Sequence, residues 1–200
     1  MNNPITCQTS NGSGCRSTCR VDGFSRDICC PNFENVRNFA VDVVNSLDEI
    51  ENRNKTFSLV EFSTNARVRR EFTTAINVTD FLEDDIDYMG GYTNTAEAIE
   101  KCQHTFGNSD RQNVILLVTD GVPTRPSGDP FQAAIIAAND VTNPNLSNPT
   151  FLQPVFINAG GNSPSATTFM NNIASGGVFN IDDFDDLDQD AVAKLKAILC

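Results

Sequence analysis

The chain lacks several features that mark whole classes of protein. It has no tryptophan and one histidine, and its 14 lysine and arginine residues stand against 26 aspartate and glutamate residues, for a net charge of −12 over 200 residues. This excess of negative charge repels nucleic acids and anionic membrane surfaces. No run of about 18 apolar residues occurs, so no segment is expected to span a membrane. We therefore predict neither a nucleic-acid partner nor a membrane span.

Sequence motifs of common enzymes are also missing. The chain contains no G-x-G-x-x-G fingerprint, no P-loop and no G-x-S-x-G nucleophile elbow. The glycine pair Gly160-Gly161 lacks the lysine and hydroxyl residue that would follow it in a phosphate-binding loop, and His104 has no serine or cysteine partner motif. We expect a protein that is not an enzyme, with an α/β enzyme as a remote alternative.

The cysteines are unevenly distributed. Five of the seven lie in the first thirty residues, at irregular spacing and without a C-x-x-C pair: Cys7, Cys15, Cys19, Cys29 and Cys30. This pattern favours disulfides in an oxidising compartment over a zinc site. Four N-glycosylation sequons agree with a secreted glycoprotein, and their acceptors are Asn11, Asn54, Asn77 and Asn145. We expect the protein to be extracellular.

The first thirty residues differ from the rest. They are polar and show no period, and the start MNNPITCQTS has neither the basic nor the apolar region of a signal peptide. We expect residues 1–30 to form an irregular, cysteine-rich segment and residues 31–200 to form the domain. We therefore expect a fragment or an incomplete gene model, with a chain that is not exported as the alternative.

Helix and strand patterns alternate after Pro31. Helical spacing is predicted over 33–47, 78–87, 96–106, 131–141, 166–174 and 187–198, and strands over 56–62, 66–72, 114–118, 154–157 and 177–181. The continuous apolar run VILLV at 114–118 is typical of a parallel strand covered on both faces. The alternation predicts an α/β fold, a doubly wound and mostly parallel sheet with helices on both faces.

Two loops are candidates for function. One is Gly90-Gly91-Tyr92-Thr93-Asn94-Thr95, which leads into a helix, and the other is Thr119-Asp120-Gly121, directly after the VILLV strand. Ligands of such sheets bind beyond the carboxyl ends of the strands. The Asp120 carboxylate and the Thr93 hydroxyl are oxygen ligands of the kind that Mg²⁺ accepts. The structural alternative is that Thr93 caps its helix and that Asp120-Gly121 is a turn.

These loops carry a resemblance to a known family. GGYTNTAEAI followed by NVILLVTDGVPT resembles the von Willebrand factor type A (vWA) family of matrilins, collagens and integrin I domains. PNFENVRNFAVDVVNSL is similar to its first helix, and FSLVEFSTNARVRREF to its second and third strands, so the likeness covers about 31–199. The resemblance implies a module for adhesion in the extracellular matrix. It would bind matrix or cell-surface proteins through the loops at the carboxyl edge.

The resemblance also implies a metal-ion-dependent adhesion site (MIDAS). Thr93 matches the family threonine that ligates the metal, and Asp120 the aspartate that acts through water. The family's D-x-S-x-S loop would lie about ten residues before Phe33, where Asp22 stands near the expected position and Ser25 is out of step. The candidate metal ligands are therefore Thr93, Asp120, Asp22 and Ser25, in a degenerate site that holds Mg²⁺ or Mn²⁺ weakly. A metal-independent interaction scaffold is the alternative.

The family's first central strand is missing or substituted. The stretch GCRSTCRV before Asp22 is too polar for a strand covered on both faces. Its loss would leave two strand edges without backbone partners, unless a substitute such as Arg26–Cys30 occupies the position.

Acidic runs raise the question of calcium. They comprise Glu83, Asp84, Asp85 and Asp87, and then Asp182, Asp183, Asp185, Asp186, Asp188 and Asp190. No EF-hand or nonapeptide repeat frames them. Because acidic residues favour the positive end of a helix dipole, we interpret these runs as solvated helix starts.

Overall fold

Helices and strands alternate along the chain. The structure, a computed structural model, describes residues 31–50, 55–86, 91–106, 112–159 and 164–199. The helices are α1 (Pro31–Asp48), α2 (Ala75–Asp84), α3 (Thr95–Phe106), α4 (Pro130–Thr142), α5 (Pro164–Ile173) and α6 (Gln189–Leu199). The strands are β1 (Phe57–Phe62), β2 (Ala66–Thr73), β3 (Val114–Thr119), β4 (Phe151–Ile157) and β5 (Phe179–Ile181). A single 3-10 turn, Phe184–Asp186, precedes α6.

The strands form two groups. β3, β4 and β5 make a parallel sheet in the order β3-β4-β5, in which β3 pairs with β4 from Val114 opposite Phe151 to Thr119 opposite Phe156. β1 and β2 form an antiparallel hairpin. The core of the sheet is β4, which is buried from Leu152 to Ile157. The predicted α/β fold with a parallel sheet is thereby confirmed.

Helix α1 packs on one face of both strand groups. Phe39, which is fully buried, belongs to an apolar cluster with Val155 and Ile181 of the parallel sheet. Val41 of the same helix belongs to a second cluster, against which Leu59 of β1 packs. One amphipathic helix therefore covers the parallel sheet and the hairpin together.

Helix α3 connects the two groups on the opposite face. Ile99 is fully buried in a third apolar cluster with Ile115 and Leu117 of β3, and Phe62 of β1 packs against that cluster. In the described part of the chain, β1 pairs only with β2 and β3 pairs only with β4. No described strand stands at the position of the family's first central strand.

Most element boundaries differ from the prediction by a residue or two, and α2 and β4 differ by three. α2 begins at Ala75 rather than at 78 because Ala75 is already buried with the apolar face of the helix. β4 begins at Phe151 rather than at 154. Sequence reading favours Pro154 as the start of a strand because proline removes a ladder donor. The structure nevertheless pairs residues 151–153 with β3, and Leu152 and Gln153 are buried there.

The two acidic runs have different positions. In the second run, Asp188 Oδ1 accepts hydrogen bonds from the backbone N–H groups of Asp190 and Ala191 at 3.0 Å, which confirms the start of α6 as its place. In the first run, Glu83 and Asp84 lie at the carboxyl end of α2, so the helix-start interpretation is wrong there.

Part of the prediction falls outside the described residues. This part includes the cysteine-rich segment 1–30 with Asp22 and Ser25, the sequons of Asn11 and Asn54, Asp87, Gly90 and Gly160-Gly161. Among the described helices, none is both long and apolar enough to cross a bilayer.

Candidate functional site

The loop before α3 is bound to the loop after β3. The Thr93 N–H donates to Thr124 Oγ1 at 2.9 Å, and the Thr93 carbonyl accepts from the backbone N–H groups of Thr124 at 2.9 Å and Arg125 at 3.1 Å. These bonds fix Thr93, which is 5% exposed, beside the segment that follows the VILLV strand. The two loops identified in the sequence therefore meet at the carboxyl edge of the parallel sheet.

A third loop, after β1, joins them. The Asn94 N–H donates to the Ser63 carbonyl at 2.8 Å, and Asn94 Nδ2 donates to the Thr64 carbonyl at 3.1 Å. The Tyr92 N–H donates to Thr64 Oγ1 at 3.2 Å. Three loops from both strand groups thus converge on one rim, which we define as Ser63–Thr64, Gly91–Asn94 and Asp120–Arg125.

Gly91 determines the approach of two of these loops. Its φ of +110° lies in the region that side chains with a Cβ rarely adopt, and a Cβ there would collide with Thr64 Oγ1. We expect Gly91→Ala to lower the free energy of unfolding by about 1–3 kcal/mol. Denaturant unfolding measures this. Gly128→Ala, at a φ of +108° with open space around it, is the control for backbone strain alone. If both variants lose the same free energy of unfolding, the close approach of Gly91 to Thr64 has no role in stability.

Asp120 is held in an unusual environment. Its Oδ2 is buried and has no hydrogen-bond partner among the described residues. Burial raises the pKa of the Asp120 carboxyl from 3.8 to about 8, and a backbone hydrogen bond at the same residue opposes this rise. Thr93 Oγ1 lies 4.0 Å from the point where a Cβ on the next residue, Gly121, would stand. The Thr93 hydroxyl therefore lies beside the loop that carries Asp120.

The residue that caps α3 is Asn94 and not Thr93. Asn94 Oδ1 accepts from the Glu97 N–H at 3.4 Å, while Asn94 Nδ2 donates to Glu97 Oε2 at 2.9 Å. This reciprocal pair does the work of a helix cap. The capping alternative for Thr93 is therefore wrong, because the side chain one position later takes that role.

Comparison with known proteins identifies the family. Residues 22–192 match the von Willebrand factor type A domain. The chain belongs to the vWA family. The match begins at Asp22, after the polar stretch that stands where the first strand of a vWA domain would lie. A comparison with curated protein sequences gives no match.

Solved structures share the vWA fold at low sequence identity. Proximal thread matrix protein 1 from the mussel byssus is 20% identical with a TM-score of 0.62, over 82% of this chain and 40% of that chain. The pilus adhesin SpaC from Lactobacillus rhamnosus GG is 13% identical with a TM-score of 0.66, over 83% of this chain and 28% of that chain. The chain therefore spans less than half the length of either protein. Another structure of the mussel protein has a zinc-occupied MIDAS motif, at 18% identity and a TM-score of 0.62, over 84% of this chain and 42% of that chain.

The described residues include two of the four candidate metal ligands. Across those residues, no group of three or more histidine, cysteine, aspartate or glutamate side chains could hold a metal ion. The two candidates are Asp120, whose Oδ2 has no partner among the described residues, and Thr93, whose hydroxyl lies beside the loop of Asp120. These donors fit a mostly hydrated ion, because Mg²⁺ keeps several waters when few protein ligands are present. The metal role of all four candidate ligands stays a prediction.

A stacked pair at the rim was missed by sequence reasoning. The Arg125 guanidinium carbon lies 4.1 Å from the centre of the Tyr92 ring, and Tyr92 is 52% exposed. Tyr92 precedes Thr93 directly and Arg125 follows the TDG loop by four positions. The sequence could have indicated this pair only through the fact that both residues lie in the two candidate loops. The stacking itself depends on how these loops pack against each other.

Other singled-out residues lie away from the rim. Cys102 is a half-buried free thiol that packs against the apolar cluster of α3, and burial raises its pKa to about 12. His104 is exposed in the last turn of α3, as expected. Asn77 and Asn145 are both exposed, and Asn77 Nδ2 donates to Thr73 Oγ1 at 2.7 Å.

Proposed function

We propose that this vWA domain is an extracellular adhesion module that binds an acidic residue of a protein ligand at the rim. The observation that carries the proposal is the buried Asp120 Oδ2, which has no hydrogen-bond partner among the described residues, at the edge where the loop of Asp120 meets the loop of Thr93. A buried polar atom without a partner costs free energy, and such atoms persist where a ligand satisfies them.

A divalent cation is the proposed link to the ligand. Mg²⁺ or Mn²⁺ would be held by the Asp120 carboxylate and the Thr93 hydroxyl, and when bound it supplies positive charge for a ligand carboxylate. The hydrogen bonds of Thr93 to the loop after β3 hold the two loops together before any ion arrives. Pre-organisation of this kind lowers the entropy cost of binding.

The structural relatives give this proposal its context. One is a matrix protein of the mussel byssus, known also with zinc in its MIDAS motif, and another is a bacterial pilus adhesin. Both names describe attachment outside the cell. Exposed sequons at Asn77 and Asn145 are compatible with glycans and support an extracellular location for this chain.

Calorimetry with Mn²⁺ at pH 8.5 tests the cation, because the Asp120 carboxyl is ionised there. We expect a dissociation constant of about 1 mM, and at least ten-fold weaker binding for both Asp120→Ala and Thr93→Val. Asp80→Ala is the matched control because Asp80 is an exposed carboxylate on α2. Binding that is absent, or that is the same in Asp120→Ala, would remove the cation from the proposal.

A metal-independent scaffold is the second candidate. It is favoured by the small number of donors, since Asp120 and Thr93 are the candidate ligands that lie within the described residues. In that case the loops of the rim bind the partner directly. Ligand binding that persists in EDTA would select this candidate.

A further inference from the structure

Arg125 stands out among the arginines of the domain. Arg37 pairs with Glu34 at 3.5 Å, and Arg69 pairs with Glu61 at 2.6 Å. Arg70 lies 4.0 Å from Asp85. Within the described ranges Arg125 forms no ion pair, and its Nε is buried without a hydrogen-bond partner. In a chain with 26 acidic residues, a half-buried arginine without a carboxylate is the exception.

The position of Arg125 is fixed by the rim itself. Its backbone N–H donates to the Thr93 carbonyl at 3.1 Å, and its guanidinium lies over the exposed Tyr92 ring at 4.1 Å. Stacking on an aromatic face restrains the plane of a guanidinium. Because the Arg125 Nε is buried, the edge that a ligand can reach is the one formed by the two Nη groups. Two parallel N–H donors at that edge match the two oxygens of a carboxylate.

We propose that Arg125, held on Tyr92, binds the carboxylate of an acidic ligand side chain directly, without a cation. The inference rests on the proposed function in placing the ligand at this rim, but it needs no metal. Partial burial favours the contact, since a charge-assisted hydrogen bond is stronger where solvent screening is reduced. A Glu or Asp side chain in an extended peptide is the group that fits.

Nuclear magnetic resonance titrations of the full chain in EDTA test the inference. The probes are the acetylated and amidated tripeptides Gly-Glu-Gly and Gly-Gln-Gly. We expect saturable shifts of the Arg125 Nε–H and the Tyr92 ring signals with the glutamate peptide, and none with the glutamine peptide. Arg125→Gln should weaken binding at least ten-fold, and Tyr92→Leu several-fold.

Two further variants distinguish bidentate binding by the planar guanidinium from a general effect of positive charge. Arg125→Lys keeps the charge but loses the stacked bidentate edge, so we expect binding about three-fold or more below the wild type. Arg67→Gln is the matched control, because Arg67 is exposed on β2 and its replacement changes the net charge equally. An equal loss in Arg67→Gln and Arg125→Gln would show a general charge effect and overturn the inference.

The remaining outcomes distinguish this inference from the cation proposal. Arg125-dependent binding in EDTA, together with no Mn²⁺ binding in calorimetry, supports the inference and removes the cation. Binding of the glutamate peptide that requires Mg²⁺ and is unchanged in Arg125→Gln overturns the inference and leaves the cation in place. Equal binding of both peptides overturns it as well.

Discussion

Asp120→Asn is expected to make the domain about 3 kcal/mol more stable than the wild type at pH 8, with little difference at pH 4. The folded carboxyl has a pKa of about 8 against 3.8 for the free group, so between these values the folded state holds a proton that the unfolded state has lost. Wild-type stability is therefore complete below pH 4 and falls as the pH rises toward 8. A pKa shift corresponds to about 1.4 kcal/mol of stability per unit. We expect about half of that value over this interval, because Asp120 keeps some contact with solvent that screens the effect.

Urea unfolding at pH 4, 5, 6, 7 and 8 measures this effect. The wild type should lose stability steadily across the series relative to Asp120→Asn, whose amide does not titrate. Asp80→Asn, an exposed change of the same type on α2, should follow the wild type. Parallel curves for wild type and Asp120→Asn would show that the carboxyl is ionised in the folded protein at neutral pH.

Phe39→Ala should lower the free energy of unfolding by about 4 kcal/mol. Phe39 is 0% exposed, and it packs from α1 into the cluster with Val155 and Ile181 of the parallel sheet and Leu195 of α6. Removal of a buried ring costs its transfer free energy and adds the cost of a cavity. The loss is large because α1 also covers the hairpin, so the helix cannot shift to fill the space without disturbing β1.

The matched control is Phe72→Ala. Phe72 lies one residue before the end of β2 with 45% of its surface exposed, so its truncation should cost less than about 1 kcal/mol. Guanidinium unfolding of both variants gives the comparison. A cost below 2 kcal/mol for Phe39→Ala would mean that α1 contributes little to the core.

Sequence patterns predicted the elements whose burial follows from local chemistry. VILLV at 114–118 predicted a strand covered on both faces, and β3 occupies Val114–Thr119 between α1 and α3. The start of β4 was predicted three residues too late, at Pro154. The sequence shows that proline lacks an N–H, but it does not show that residues 151–153 pair with β3. The family resemblance covered the whole domain and was confirmed by the match to 22–192.

The site was predictable only in outline. Family likeness selected Thr93 and Asp120, and the structure shows their loops joined by three hydrogen bonds of the Thr93 backbone, one of them to the Thr124 hydroxyl. The raised pKa of Asp120 follows from burial, and the stacking of Arg125 on Tyr92 follows from loop closure. Neither the raised pKa nor the stacking can be predicted from residue spacing, because both depend on neighbours from distant parts of the chain.

The separation of the hairpin from the parallel sheet has a consequence for cooperativity. Within the described residues no backbone ladder joins β1 to β3, so the two halves communicate through side-chain packing on α1 and α3 and through the loops of Thr64 and Thr93. A ligand bound across the rim would contact loops of both strand groups. We expect it to couple local opening of the hairpin more tightly to opening of the parallel sheet.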